Sequence, residues 1–188
     1  MIEIRWHGRG GNGAFTAAKL LGAAASVHEG KFAQSFPAFG PERRGAPVAG
    51  FTRISDEVIT DHSQVYVCDC VIVLDETLLE VVDVTVGMKD DAVLVVNTEK
   101  TADEFRKANQ SKLQNVKRIV TLDATSIALE KLGRNIVNTV MLGAAVGAAK
   151  FVKMESVEDA ISAMMAGSLG EKNKDAAKTA YEMTKGAA

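Results

Sequence analysis

The residues Ile2–Leu21, IEIRWHGRGGNGAFTAAKLL, decide the fold of this chain. Ile2, Ile4 and Trp6 alternate with polar residues, which predicts a short strand. A glycine-rich turn follows, and the next segment, Ala14–Ala25, is rich in alanine and leucine, which predicts a helix. Strand, turn and helix in this order are the first half of a βαβ unit, so we expect an α/β protein.

The turn between this strand and helix has the composition of an anion-binding loop. Glycine permits positive φ and lets a ligand or another backbone approach closely. The helix N-terminus that follows favours an anion above the turn. The alternative is that the glycines serve only the close packing of strand against helix. The candidate cofactor-binding residues of this turn are Gly8, Arg9, Gly10, Gly11, Asn12 and Gly13.

The glycine spacing also matches a dinucleotide-binding motif, but only in part. Gly8, Gly10 and Gly13 satisfy GxGxxG. A nucleotide fold next needs a second strand that ends in Asp or Glu, to hold the ribose hydroxyls. The candidate second strand, Phe32–Pro37, has no such carboxylate, and Glu29 precedes it. The NAD interpretation therefore lacks its second requirement.

Composition limits the possible classes of function. The chain has 188 residues, enough for one domain, residues 1–188, with a substantial core. A net charge of −2 argues against a general nucleic-acid surface. No apolar run reaches the roughly 18 residues of a membrane span. The sequence enters a strand at once, without a basic region and an apolar segment, so we expect no secretory signal and a cytoplasmic protein.

Two cysteines, Cys68 and Cys70, are too few for a metal centre of their own. A [4Fe–4S] cluster takes four thiolates. A tetrahedral zinc site needs two more ligands, and His7, His28 and His62 are scattered along the chain. We therefore expect no metal site, and we expect both cysteines to face one side of a strand. The alternative is a redox or metal role for the pair.

The segment Phe36–Pro47, FPAFGPERRGAP, contains all three prolines of the protein. Prolines fix φ and lack a backbone donor, so this segment is predicted to be an ordered loop rather than a helix. Phe36 and Phe39 give it apolar surface to bury, and Arg43 and Arg44 give it charge for a ligand or partner. Such a stiff aromatic loop favours function over a plain connection. The alternative is a surface loop with solvated arginines.

The rest of the chain alternates strand and helix patterns. Val65–Leu74 is apolar at nearly every position, as expected for a strand covered on both faces. Further strands are predicted at Val48–Ser55, Val58–Ile59, Ala92–Asn97 and Val116–Leu122, and helices at Thr77–Glu80, Ala102–Gln114, Ala124–Leu132, Val137–Val152, Val157–Met165 and Glu171–Lys185. This order predicts a three-layer α/β/α single domain with a mostly parallel sheet and a glycine-rich first βα turn.

Some local features of these elements carry predictions of their own. Asp75 and Glu76 follow the strongest strand, where carboxylates either line a ligand site or cap the next helix. Ser156 is predicted to cap the following helix. Val137–Val152 is apolar nearly all round and predicts either a central helix or a subunit interface. The last predicted helix, Glu171–Lys185, is rich in lysine and is expected to be exposed.

Four segments together resemble the gamma subunit of 2-oxoacid:ferredoxin oxidoreductases. They are GRGGNG from Gly8, FAQSFPAFGPERRGAPV from Phe32, FTRIS from Phe51 and SQVYVCDCVIVLDETLL from Ser63. The resemblance covers essentially the whole chain and is densest over residues 2–80. It is strongest to the pyruvate enzyme, with the branched-chain ketoacid enzyme next. The chain departs from the family at Asn12, where glutamine is usual.

The resemblance implies a complex of several subunits that converts pyruvate, coenzyme A and oxidised ferredoxin to acetyl-CoA, carbon dioxide and reduced ferredoxin. It implies thiamine diphosphate with Mg²⁺ for the carbanion chemistry and iron–sulfur clusters for electron transfer. This chain has neither a GDG-to-Asn thiamine motif nor a CxxCxxC motif, so these cofactors are expected in partner subunits. The isolated chain is expected to be inactive.

For this subunit we expect contact with coenzyme A or with a neighbouring subunit. The expected contacts are the six residues of the glycine turn together with Arg43 and Arg44. A gamma subunit of a branched-chain ketoacid, 2-oxoglutarate or indolepyruvate enzyme is an alternative of the same class. A pure scaffold and a stand-alone nucleotide-binding α/β protein are the alternatives from other classes.

Overall fold

The computed structural model describes residues 1–38 and 44–187. Its strands are β1 (Ile2–Arg9), β2 (Phe32–Pro37), β3 (Pro47–Ser55), β4 (Cys68–Val73), β5 (Met88–Asn97) and β6 (Arg118–Leu122). Its α-helices are α1 (Ala14–Ala23), α2 (Ala102–Ala108), α3 (Gln110–Leu113), α4 (Ala124–Leu132), α5 (Asn138–Ala149), α6 (Met154–Met164) and α7 (Gly167–Thr184). A π turn, Ala24–His28, extends α1, and a 3₁₀ turn, Glu76–Glu80, follows β4.

The strands of the described residues form one sheet in the order β2-β3-β1-β4-β5-β6. The run β1-β4-β5-β6 is parallel, whereas β3 is antiparallel to both β1 and β2. The chain therefore adds β2 and β3 on one side of β1 and the other parallel strands on the opposite side. The prediction of a mostly parallel sheet is confirmed.

Helical layers of unequal thickness cover the two faces of the sheet. On the first face α1 and α4–α7 bury a large apolar core that includes Trp6, whose indole N–H donates to Thr52 Oγ1 at 3.1 Å. On the second face the 3₁₀ turn, α2, α3 and connecting loops bury a smaller core around Phe51 and Phe105. The predicted α/β/α layering is therefore confirmed, with a thin second layer.

Helix α5 lies under α7 and is buried along nearly its whole length. Its glycines allow this close approach, because a Cβ at Gly143 would lie 1.9 Å from the carbonyl oxygen of Ala177. The central-helix interpretation is thus confirmed. Helix α7 buries Ala176, Ala177 and Ala180 on one face. The prediction of an exposed last helix was therefore wrong for that face.

The two cysteines lie in opposite cores of the sheet, at an irregularity in the pairing of β4 with β5. The register of β4 against β5 shifts between Cys68 and Cys70. Cys70 lies in the larger core and Cys68 in the smaller one. The prediction that both face one side was wrong. Between Cys68 and Cys70 the pairing advances by two residues in β4 and by five in β5, so the regular alternation of side chains is broken there.

Other bounds differ from the sequence prediction. The last helix begins at Gly167 rather than Glu171, and β4 begins at Cys68 rather than Val65. Val58 and Ile59 belong to a loop rather than a strand. The helix predicted at Ala102–Gln114 divides at Asn109 into α2 and α3. Helix α6 begins before Ser156, so that residue is not its N-cap.

The start of α6 is instead capped by a residue distant in sequence. The carboxylate of Glu29 accepts hydrogen bonds from Lys153 N at 2.6 Å and from Ser156 Oγ at 3.0 Å. Local sequence around α6 could not reveal this cap, because its acceptor lies more than 120 residues away. Across the described ranges, no helix has both the length and the hydropathy that crossing a bilayer requires.

Candidate functional site

The glycine turn and the proline-rich segment lie side by side. Gly10 N donates to Ala46 O at 2.8 Å, and Gly45 N donates to Gly10 O at 3.0 Å. Gly10 and Arg44 form a parallel β-bridge. We call residues 10–13 and 44–47, together with the adjacent Phe15, the paired-loop surface. The structure therefore unites the two segments that sequence reasoning identified separately.

Packing explains two of the glycines that the sequence assigned to the turn, Gly8 and Gly13. Strand β1 continues through Arg9, so Gly8 lies in the strand, not in the turn. A Cβ at Gly8 would lie 2.5 Å from Asn12 Oδ1, and one at Gly13 would lie 2.6 Å from Asn138 Nδ2. Gly11 has a φ of +95° and open space beside it. Of the three, Gly11 alone leaves room for a ligand or partner.

Arg9 is held by neighbours rather than free for a phosphate. Its Nε lies 2.6 Å from Asp75 Oδ2, and its two other nitrogens donate to Thr77 Oγ1 at 2.7 Å and Gly45 O at 3.1 Å. This one side chain thus connects the end of β1, the start of the 3₁₀ turn and the second loop of the paired-loop surface. Arg9 therefore positions the loop.

Asp75 both caps the 3₁₀ turn and receives Arg9. Its carboxylate accepts from Thr77 N at 3.0 Å and from Thr77 Oγ1 at 2.7 Å. Partial burial raises the pKa of Asp75, but the hydrogen bonds from Thr77 and Arg9 lower it by more. The pKa of Asp75 therefore lies below its usual value. Asp75 thus stays ionised, with structural partners for both its oxygens.

A crevice of about 960 Å³ lies at the carboxyl ends of the parallel strands. After β1 the chain passes to the first face of the sheet, where α1 packs. After β4 it passes to the second face, where Leu78 and Leu79 of the 3₁₀ turn are buried. A reversal of this kind is where open α/β sheets usually bind ligands. Arg9 and Asn12 from the predicted site line this crevice.

The charged side chains that line the crevice make it unfavourable for a phosphate ligand. Among the described residues, the lysine and arginine side chains that line it are Arg9 and Lys100, which pair with Asp75 at 2.6 Å and Glu76 at 2.8 Å. The acidic residues in its lining are Asp75, Glu76, Glu99, Glu104 and Asp123. Since these carboxylates outnumber the bases, a dinucleotide would meet net negative charge there.

Five exposed residues form the outer part of the paired-loop surface. Arg44, Gly11 and Pro47 are exposed, and Phe15 is 36% exposed although it belongs to the first turn of α1. Sequence reasoning missed Phe15. The helical periodicity could have revealed it, because the core-facing positions of α1 are 14, 17, 18 and 21, and position 15 falls outside that face. The fifth exposed residue is Gly45.

The predicted site residues are therefore only partly together. Gly10–Gly13 and Arg44 share one surface, and Gly8 and Arg9 lie beneath it in β1. Arg43 lies outside the described residues. Residues 1–38 and 44–187 contain no group of three or more His, Cys, Asp or Glu side chains placed to hold a metal ion.

Fold and site together define an α/β protein with a paired-loop surface beside an acidic crevice at a topological switch point. The chain belongs to the pyruvate ferredoxin/flavodoxin oxidoreductase family, whose model matches residues 3–183.

Relatives of known sequence and structure agree with this assignment over nearly the whole chain. The pyruvate/ketoisovalerate oxidoreductases common subunit gamma of Pyrococcus abyssi is 53% identical, over 98% of this chain and 97% of its own length. The pyruvate synthase subunit PorC of Methanothermobacter marburgensis is 52% identical, over 98% of each chain. The crystal structure of the pyruvate oxidoreductase subunit PORC of Thermotoga maritima aligns with a TM-score of 0.83, at 40% identity over 96% of this chain and 95% of that one.

Proposed function

We propose that this chain is the gamma subunit of a multisubunit pyruvate:ferredoxin oxidoreductase. The complex converts pyruvate, coenzyme A and oxidised ferredoxin to acetyl-CoA, carbon dioxide and reduced ferredoxin. Support comes from the match to a pyruvate synthase subunit over 98% of both chains. The structural observation that carries the subunit's role is the hydrogen-bonded union of the glycine turn with the proline-rich segment.

Under this proposal the subunit works in the cytoplasm without a cofactor of its own. Thiamine diphosphate, Mg²⁺ and the iron–sulfur clusters belong to partner chains, because the sequence contains no motif for either cofactor. Thiamine diphosphate supplies the carbanion chemistry in those chains. The gamma chain, residues 1–188 as one domain, contributes surface and shape and is inactive alone.

The paired-loop surface then borders the approach of coenzyme A at the junction with a partner subunit. Arg44 is exposed on this surface and is suited to a phosphate, whereas Arg9 is engaged by Asp75. Arg43, which adjoins Arg44 in sequence, supplies a second charge. Gly11, Phe15 and the loop backbone pack on the partner and help to exclude water from the intermediate.

One comparison favours a second substrate. The Pyrococcus abyssi relative is named as a gamma subunit common to pyruvate and ketoisovalerate oxidoreductases. A shared subunit of this kind fits the view that the acid-binding pocket lies mostly in other chains. The second candidate function is therefore a gamma subunit that also serves a branched-chain ketoacid enzyme.

Substitution of the two arginines in the assembled complex tests the role of the paired-loop surface. Arg43→Ala and Arg44→Ala are each expected to raise the KM for coenzyme A roughly tenfold, the loss of one charge-assisted contact of about 1.4 kcal/mol. We expect an unchanged kcat and intact assembly. Lys107→Ala removes an equal charge from an exposed position of α2 and should leave the KM unchanged. If less complex assembles but the complex that does form has an unchanged KM for coenzyme A, this surface serves subunit contact alone.

A further inference from the structure

Three exposed apolar side chains lie where the loop before β4 meets the loop before β5, away from the paired-loop surface. They are Tyr66 (68% exposed), Val67 (48%) and Val86 (60%), and we call them the apolar patch. Such a group of exposed apolar residues marks an interaction site when it is contiguous.

Backbone contacts bring the segments of the apolar patch together. A Cβ at Gly87 would lie 1.8 Å from the carbonyl oxygen of Tyr66, so the two backbones touch. Cys68 N donates to Gly87 O at 2.7 Å. Tyr66, Val67 and Val86 are therefore neighbours at the amino end of β4, opposite the end at which the crevice opens.

Two buried arginines brace the loops that carry the patch. Arg5, 8% exposed, donates to the carbonyl oxygens of Val84 and Val86. Arg53, 1% exposed, donates to Asp61 O at 3.1 Å and to Ser63 O at 2.8 Å. Loops held in this way lose little conformational freedom when a partner binds, which favours association.

The segments that carry the patch are acidic. The bases beside them are engaged within the chain, because Lys112 donates to Leu79 O at 2.6 Å and Arg5 to the carbonyl oxygens of Val84 and Val86. The two segments that carry the patch, residues 56–67 and 80–87, contain no lysine or arginine. Their acidic residues are Asp56, Glu57, Asp61, Glu80 and Asp83. Hydrogen bonds from Thr85 lower the pKa of Asp83, so this rim residue stays ionised.

This negative rim restricts the occupant. A second copy would place like charges opposite one another at a symmetric interface, which is unfavourable. We propose that the apolar patch docks another subunit of the oxidoreductase complex, one that presents an apolar pocket bordered by lysine or arginine. This inference rests on the proposed function and adds a second contact, at the opposite end of β4 from the paired-loop surface.

The test is reconstitution of the complex from the purified gamma chain and its purified partner subunits. Val86→Asp and Tyr66→Ala should weaken assembly by roughly 30-fold, the effect of one interface hot spot of about 2 kcal/mol. Val27→Asp is the matched control, because Val27 is 73% exposed in the π turn after α1 and should leave assembly unchanged. Thermal melting of each isolated variant separates lost binding from lost folding.

Charge reversal and cross-linking test the chemistry of the partner. Glu80→Lys combined with Asp83→Lys should weaken assembly by a factor that shrinks as salt is added. A zero-length carbodiimide should join Glu80 or Asp83 to a lysine of one partner subunit in the wild-type complex.

Two failures are distinguishable. If the wild-type chain does not assemble with the partner subunits, the proposed function falls and this inference with it. If the wild-type chain assembles and the folded Tyr66 and Val86 variants assemble equally well, only the apolar patch is overturned. Dimerisation of the isolated chain that Val86→Asp abolishes would assign the patch to a second copy and overturn the proposed occupant.

Discussion

Arg9 and Asp75 form an ion pair, with 2.6 Å between Nε and Oδ2, that joins the end of β1 to the residue that caps the 3₁₀ turn after β4. The same arginine donates to Gly45 O, so it also holds the proline-rich segment against the glycine turn. Sequence reasoning offered Arg9 as a ligand contact. That contact stays a prediction. The three hydrogen bonds that Arg9 makes within the chain give it a positioning role as well.

Substitution of Arg9 should therefore loosen the paired-loop surface. Arg9→Ala is expected to lower the free energy of unfolding by about 1 kcal/mol, since the pair is about one-third exposed and screened by water. Hydrogen exchange at Gly45 should accelerate, while exchange in α7 stays unchanged. Lys117→Ala, which removes an exposed ion pair with Asp90, is the control and should change neither quantity. Unaltered exchange at Gly45 in Arg9→Ala would contradict the positioning role.

The buried His7 should make the folded chain less stable in acid. Burial, followed by the charge of Arg5, lowers the pKa of His7 to about 4, and its Nε2 has no hydrogen-bond partner among the described residues. The unfolded chain therefore binds a proton near pH 6.5 that the folded chain does not bind until about pH 4. Stability from this group is complete above pH 6.5 and falls as the pH drops towards 4.

Urea unfolding between pH 7 and pH 4.5 measures the effect. Wild type should lose about 2 kcal/mol more than His7→Gln over this range, in accord with the linkage of pKa to stability. His62→Gln, at an exposed position, should follow wild type. Parallel curves for wild type and His7→Gln would show that His7 does not titrate in this way.

The contact of α5 with α7 makes Gly143 a sensitive position. Gly143→Ala places a Cβ 1.9 Å from Ala177 O, so the helices must separate, and we expect a loss of about 3 kcal/mol or more. Lys172→Ala, at an exposed position of α7, should be close to neutral. Thermal unfolding compares the two; a Gly143→Ala melting point equal to that of wild type would contradict the close packing.

The two cysteines should be inert in the native protein. Both are fully buried, and burial raises the pKa of each thiol. Since the thiolate is the reactive form, iodoacetamide should label neither residue in buffer and both in denaturant. Mass spectrometry counts the labels. Rapid labelling of the folded chain would place a reactive thiol where the structure has none.

Local patterns predicted most of the fold. Ala124–Leu132 with Gly133 at its end was predicted with correct bounds, because periodicity and a left-handed C-cap are local signals. Errors arose where distant residues decide. Three features depend on tertiary contacts that no short window of sequence contains. They are the capping of α6 by Glu29, the register shift between Cys68 and Cys70, and the loop at Val58.

The candidate site was predictable in its segments but not in its geometry. Glycine and proline composition identified both loops, and the structure joined them through Gly10 and Arg44. The engagement of Arg9 by Asp75 could not be predicted. An ion pair between residues 66 positions apart follows only from the packed fold.

The most direct test of the account is anaerobic purification of the tagged chain from its native host. The eluate is assayed for co-purifying subunits, iron, thiamine diphosphate and pyruvate-dependent dye reduction with coenzyme A. We expect larger partner chains, both cofactors and activity in the eluate, and none of the three with the isolated recombinant chain. Recovery of the 20.0 kDa chain alone, free of iron and thiamine diphosphate, would contradict it.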